Sequence, residues 1–344
     1  MSDLEAQIAT ARAGDHNEFS RLAEPYRREL QVHCYRITGS LQDAEDLVQE
    51  TLLRAWRRLD TFEGRAPLRA WLYKIATNAC LDALDKRPRR SLPTRRSSAS
   101  DPRAPFVQPR AEPIWIEPLP DNLIAEASES PEARYSIRES VTLAFLVALQ
   151  NLPPRQRAVV ILRDVLDWQA SEVAGLLDMT IPAVNSALHR ARATLEQNYH
   201  RKGSATVQRA SVDSRLNALL DRYLRAWENA DVASLTALLK EDATLSMPPS
   251  PSWYLGRNAI RVFLKSAIFG SSFFPGEGQG RWRLLPTRAN AQPAFGVYLR
   301  GSPGVHEAFG ILSPIFDGKR LAEIITFINP ALVVRFGLPD RLIA

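Results

Sequence analysis

Nine prolines fall between Pro88 and Pro131, and neither a helix nor a central strand can run through them. That stretch divides the chain. Residues 1–86 carry helical periodicity and hold proline only at Pro25 and Pro67. Seven arginines between Arg87 and Arg110 accompany the prolines, so 87–131 reads as an extended basic linker. Helical signal returns over 132–200, and a basic break at 200–209 leads into a third region. At 344 residues there is room for two or three domains with sizeable cores.

The second segment ends in a pattern with chemical meaning. Ile181, Val184, Leu188, Ala191 and Leu195 recur at helical spacing and form one apolar stripe. Asn185, Ser186, His189, Arg190 and Arg192 fall off that stripe, and each can hydrogen-bond base edges or phosphates. Upstream, Val173, Ala174 and Leu177 share a face, and Asp178-Met179-Thr180 makes a short break with Thr180 as N-cap. Helix, short turn and basic helix is the helix-turn-helix pattern; a solvated helical hairpin is the bland alternative.

Two further helices are legible near the N-terminus. Between Gln42 and Leu59 the apolar positions Ala44, Leu47, Val48, Leu52, Ala55, Trp56 and Leu59 bury one face. The other face begins acidic, with Asp43, Glu45, Asp46, Gln49 and Glu50. A second helix starts at Pro67, burying Leu68, Trp71, Leu72, Ile75 and Ala79 and exposing Arg69, Lys74, Asn78, Asp82 and Lys86. The loop between them, Thr61 to Ala66, sets Phe62 beside Gly64 and Arg65. An aromatic and a cation in a loop suit capture of an unstacked base, or else Phe62 plugs the core.

The formal charge of +6 suits a polyanionic partner. Cys34 and Cys80 are too few for a disulfide framework or a zinc ligand set, and the five histidines show no ligand spacing, so no metal or cofactor is expected. The polar, acidic N-terminus and the lack of a membrane-length apolar run imply a cytoplasmic chain with no membrane insertion.

In the third region, helical patterns at 212–229 and 231–240 precede short β-like runs at 243–247, 282–287, 294–299, 308–316 and 321–328. A helix at about 257–268 interrupts them, so an α+β domain with a curved antiparallel sheet is expected.

Taken together, the first 200 residues resemble the extracytoplasmic-function (ECF) group of sigma-70 factors. The run Asp43 to Glu50 resembles region 2.2, and Phe62 to Asp82 resembles regions 2.3 and 2.4. Leu152-Pro153-Pro154-Arg155-Gln156-Arg157 is similar to the start of region 4, and 169–196 to the hairpin that reads the −35 element. The resemblance implies two all-α sigma domains, 1–86 and 132–200, that bind core RNA polymerase through its β′ clamp and β flap and direct it to promoter DNA. It gives Asp43, Asp46, Gln49 and Glu50 to polymerase, and Phe62, Arg65, Lys74 and Asn78 to the −10 element. Asn185, Ser186, His189 and Arg190 go to the −35 element, with Arg192 on phosphate. The linker, longer than usual in the group, would thread the polymerase between the two domains.

Residues 212–330 resemble the SnoaL-like, NTF2-like superfamily, a cone of helices over a bent sheet, carried by Tyr223 to Asp231 and Glu241 to Pro249. Isomerases of that group place an aspartate before a proline where this chain has Met247 before Pro248, and a thioether cannot abstract a proton. No catalytic residue is expected. Met247, Trp253, Tyr254 and Tyr298 are candidates for a ligand pocket, with His306 and Glu307 as further polar groups. The domain reads as regulatory, through an unknown small molecule or through intramolecular contact with the sigma domains. The tail, 331–344, either docks elsewhere or closes this domain's core. The rival readings are a ligand-responsive helix-turn-helix regulator and a bifunctional protein with a SnoaL-like isomerase or cyclase domain.

Overall fold

The computed structural model describes residues 3–86, 90–95, 97–105, 107, 115–126, 139–200, 214–274 and 278–343. Part of the expected linker and the basic break therefore lie outside the described residues. Two compact units result. One comprises 1–90 with 122–201, and the other 91–121 with 202–344.

The first unit is helical: α1 (Asp3–Arg12), α2 (His16–Thr38), α3 (Leu41–Arg57), α4 (Leu68–Asp85), α5 (Asp121–Glu126), α6 (Leu143–Gln150), α7 (Pro154–Val160), α8 (Ala170–Leu177) and α9 (Ile181–His200). Asp15 caps α2 by accepting from the amides of Asn17 and Glu18, and Gly39 ends it at φ 73°, where glycine costs no Cβ strain. Ser40 then caps α3. Leu30 through Thr38 are all buried, so the C-terminal half of α2 is enclosed on every side.

The two sigma-like segments do not stand apart. Arg157, wholly buried on α7, donates to the Ile37 carbonyl of α2 and to Gln150 Oε1, and its other nitrogen reaches the Gln150 and Leu152 carbonyls at 3.3 and 3.2 Å. A guanidinium with five donors satisfies carbonyls that burial would otherwise leave unpaired.

The second unit places α10 (Ser214–Glu228), α11 (Val232–Ala237) and α12 (Arg257–Phe263) on a seven-stranded sheet. The strands are β1 (Leu239–Ser246), β2 (Trp253–Leu255), β3 (Trp282–Ala289), β4 (Gln292–Arg300), β5 (Val305–Asp317), β6 (Arg320–Ile328) and β7 (Arg341–Ile343). The order is β2-β1-β6-β5-β4-β3, with β7 on β5. All five expected strands form. The sheet is mixed, not antiparallel as expected, because β1 and β6 run parallel. Tyr223, Trp227, Leu245, Phe263, Trp282, Phe295 and Ile324 belong to one buried core.

The tail closes this domain's own sheet. α13 (Pro330–Arg335) buries Leu332 and Val333, the Ala308 amide donates to the Asp340 carbonyl, and Tyr298 Oη donates to the Pro339 carbonyl at 2.9 Å. Leu338 packs over Gly296, where an added Cβ would meet its Cδ1 at 2.5 Å and push the leucine aside.

The described part of the expected linker is extended except for a single turn at Pro93–Arg95 and the short helix α5, and it does not hang free. Leu92, Trp115, Ile116 and Leu119 are buried. Trp115 Nε1 donates to the Pro249 carbonyl at 2.9 Å, and the Ser100 amide to the Trp253 carbonyl at 2.7 Å. Leu119 and Asn290 exchange bonds of 3.0 and 2.8 Å, and Asp121 pairs with Arg288 at 2.9 Å. Prolines forbid helix but not packing, and an extended chain can cap sheet edges that would otherwise present unpaired amides. The described residues between 91 and 121 belong to the C-terminal unit.

Candidate nucleic-acid and polymerase interface

Most of the recognition pattern survives folding, although Ile181, expected on the buried stripe, is exposed and Leu195 is only half-buried. The Gln169 amide donates to Glu172 Oε2 at 2.7 Å in a capping box that starts α8, and Asp178 ends the helix in the left-handed region at φ 50°. Thr180 Oγ1 then accepts from the Ala183 amide at 3.3 Å and begins α9. Val184, Ala187, Leu188 and Ala191 face inward, while Asn185, Ser186, His189, Arg190 and Arg192 are all exposed. The B-DNA major groove admits a helix presented this way. Arg192 is the exception in chemistry: its guanidinium grips Asp164 with bonds of 3.0 and 2.5 Å, so it enters the free protein already paired.

The −10 group is less uniform. Phe62 is 5% exposed and packs on Trp71 with ring centroids 5.2 Å apart, so no face is left for a base. The expectation that Phe62 captures DNA is corrected: a large apolar ring beside an open tryptophan face gains more by burial. Arg65 stays out in solvent beside Glu63 at 2.7 Å. Asn78 is partly buried on α4. Lys74, one turn earlier, is held by the Asp178 carboxylate at 3.0 Å and the Gly175 carbonyl at 2.9 Å.

Of the polymerase group, Asp46 and Gln49 are exposed on α3. Glu50 joins Arg54 at 2.7 Å, and Arg54 reaches Asp82 at 3.1 Å. Asp43 instead turns inward to Arg90 at 2.8 Å, and its assignment to polymerase is corrected. Sequence reading also missed a groove of about 290 Å³ between α2 and α3, lined by His16, Phe19, Ala23, Gln49, Leu53 and Trp56. Leu53, 48% exposed, lies off the apolar stripe of α3, and that misfit was the available signal.

The four residues expected to line a ligand pocket are not brought to one cavity. Met247 borders an apolar space of only about 10 Å³ with Phe263, Phe274 and Phe309, which is water-sized at most. Tyr254 stacks on Phe263 at 4.0 Å. Trp253 Nε1 donates to the Ser97 carbonyl, and Tyr298 Oη is spent on Pro339. His306 Nε2 pairs with the Gly280 carbonyl at 3.0 Å. Phe274, Trp282 and Phe309 fill the interior edge to face. Among the described residues no group of His, Cys, Asp or Glu is disposed to hold a metal ion, and no helix is long and apolar enough to cross a membrane.

Residues 22–90 match the family model of Sigma-70 region 2, and residues 142–195 that of Sigma-70 region 4. The ECF RNA polymerase sigma factor SigG of Mycobacterium tuberculosis is 44% identical over 336 residues, spanning 97% of this chain and 86% of that protein. The chain belongs to the ECF sigma factors. SigW of Bacillus subtilis, 25% identical, is matched over 95% of its length by only 56% of this sigma factor, so the remainder is an addition to a sigma body. The crystal structure of SigJ from Mycobacterium tuberculosis has the same fold. It superposes with a TM-score of 0.57 at 23% identity, covering 93% of this sigma factor and 99% of SigJ. The C-terminal unit keeps the α+β class expected for it, helices with a seven-stranded sheet, though the sheet is mixed.

Proposed function

We propose that this ECF sigma factor reads the −35 element with Asn185, Ser186, His189 and Arg190, and the −10 region with α4 through Lys74, Asn78 and the neighbouring Arg65. The observation that carries the −35 reading is the row of four exposed polar side chains on α9, backed by buried Val184, Leu188 and Ala191. Arg192 reaches phosphate only by giving up Asp164. Core polymerase is engaged through Asp46, Gln49 and Glu50 on the β′ clamp, with region 4 on the β flap. The Leu53 groove adds apolar area to the clamp contact.

The C-terminal domain acts as a regulator and not as a catalyst. Its interior is filled with aromatic rings, and Met247 stands where a base would be needed. Small-molecule control through the cone is disfavoured by the same filling. We favour a role in which the docked 91–121 segment ties the state of this domain to the chain that joins regions 2 and 4.

In vitro transcription with core polymerase and a pool of promoter fragments tests the whole reading. Promoter-specific transcripts that require the protein are expected. Unaided tight binding to duplex DNA with no transcripts would favour a ligand-responsive regulator. The C-terminal role is tested with the full chain carrying Trp115→Ala, because truncation after Gln208 would strip Trp115, Ile116 and Leu119 of the surface that buries them. Unchanged promoter output from that variant would remove the regulatory role.

A further inference from the structure

Lys74 lies on the helix assigned above to the −10 strand, and its ammonium already has two oxygen partners. Both come from the end of α8: the Asp178 carboxylate at 3.0 Å and the Gly175 carbonyl at 2.9 Å. A helix C-terminus concentrates partial negative charge, and Asp178 adds a full charge at that point. Two oxygens, one of them anionic, thus meet the lysine as two oxygens of a phosphate would. Around this contact the same seam is sealed by packing. Tyr73, the residue before Lys74, meets Trp168, just upstream of α8, with ring centroids 5.3 Å apart.

We propose that the C-terminal end of α8 is an internal phosphate mimic: it occupies the cation that region 2 turns toward DNA and so keeps the free factor from gripping the single strand. This rests on the assignment of Lys74 to the −10 region. The contact is suited to exchange, since 39% of the Lys74 side chain and 78% of Asp178 remain exposed. An exposed pair is weak and screened by salt. Once polymerase holds region 4 elsewhere, a DNA phosphate takes the vacated position. Region 4 thereby has a second task besides reading duplex DNA.

The test uses full-length protein with three substitutions. Asp178→Asn removes the charge and keeps a residue that tolerates φ 50°. Asp167→Asn is the control, with the same charge change at another left-handed position, φ 54°. Lys74→Gln removes the cation. Binding is read by fluorescence anisotropy with a labelled random-sequence DNA single strand of about fifteen nucleotides at low salt. Hydrogen exchange reports the α4 and α8 amides. Asp178→Asn is expected to tighten binding about fivefold over wild type and over Asp167→Asn. Lys74→Gln should abolish that gain, and both variants should speed exchange in α4 and α8. Equal binding by Asp178→Asn and wild type overturns the proposal, as does a gain that persists when Lys74→Gln is added. Transcription by the Lys74→Gln holoenzyme separates the two failures. If it falls while Asp178→Asn has no effect on binding, only the mimic is wrong; if it is unchanged, the −10 assignment of Lys74 is wrong as well.

Discussion

The Asp43 carboxylate lies 2.8 Å from the Arg90 guanidinium, with 12% and 7% of the two side chains exposed. An acid on the nominally outward face of α3 has thus become half of a buried ion pair that fastens residue 90 to region 2. Removing one member of such a pair takes away charge that compensates the other in the interior. Asp43→Ala should therefore cost about 3 kcal/mol in urea denaturation. Replacing both residues with leucine should recover much of that loss. Polymerase affinity of the folded Asp43→Ala fraction should match wild type, whereas Gln49→Ala should weaken it.

Phe62→Ala should behave as a core truncation. Loss of a ring held against Trp71 costs roughly 3 kcal/mol of stability. Permanganate footprints of the melted −10 region, taken at a temperature where the variant is folded, should keep the wild-type pattern. A footprint that collapses while the fold stays intact would return Phe62 to the DNA.

His33 couples stability to acid. The imidazole is wholly buried, and burial, with help from the charges on Arg36 and Arg69, holds its pKa down at about 3 against an ordinary 6.5. Thr77 Oγ1 spends its proton on the Tyr73 carbonyl and so accepts from His33 Nε2–H at 2.9 Å, which fixes a neutral tautomer. Between pH 6.5 and 3 the unfolded chain binds the proton and the folded one does not. Stability therefore falls as pH drops through that window, by a total on the order of a few kcal/mol. Urea midpoints at about pH 7 and about pH 5 should show the decline, and His33→Gln should reduce its slope.

Arg36 is 1% exposed, and its Nε and Nη2 find no hydrogen-bond partner among the described residues. Burial pulls its pKa down to about 10. A buried charge of this kind is expensive, and an apolar side chain of similar length removes the expense. Arg36→Met should raise the melting temperature. A drop of several degrees would mean that the guanidinium supports the packing of α2.

Arg190→Ala should lower promoter output about tenfold, in line with about 1–3 kcal/mol for a base contact. Arg192→Ala should have a smaller effect, because its charge is already shared with Asp164. Output measured on promoters with mutated −35 elements will show whether Arg190→Ala relaxes preference at a single position.

What the sequence disclosed, and what it hid, follows from range. The inward Val184, Leu188 and Ala191 and the outward Asn185 and His189 are set by the period of one helix, and such local periodicity is legible. The five longer strands were legible from local pattern too, as was the capped turn at Thr180. Asp43 was misread because its partner lies 47 residues away, and helical spacing says nothing about a residue that comes from another element. Lys74 was correctly placed on an exposed face, but its partner Asp178 is 104 residues distant. The proline stretch gave no sign of the short helix α5 inside it, and its buried Trp115, Ile116 and Leu119 depend on strands formed far along the chain. β7 and the parallel pairing of β1 with β6 were hidden in the same way.

The packed residues Trp115 to Leu119 also set an order of events during synthesis. Leu119 leaves the ribosome 171 residues before Asn290, the partner with which it exchanges hydrogen bonds. At ordinary elongation rates that is a wait of roughly ten to thirty seconds. Once residue 200 has emerged, regions 2 and 4 are complete while Leu119 still has no Asn290 to pair with. The nascent factor thus passes through a stage in which its DNA-reading domains exist before the segment between them has found its place. Synthesis of β3 and the turn after it, and not the completion of region 4, is what gives Leu119 its partner.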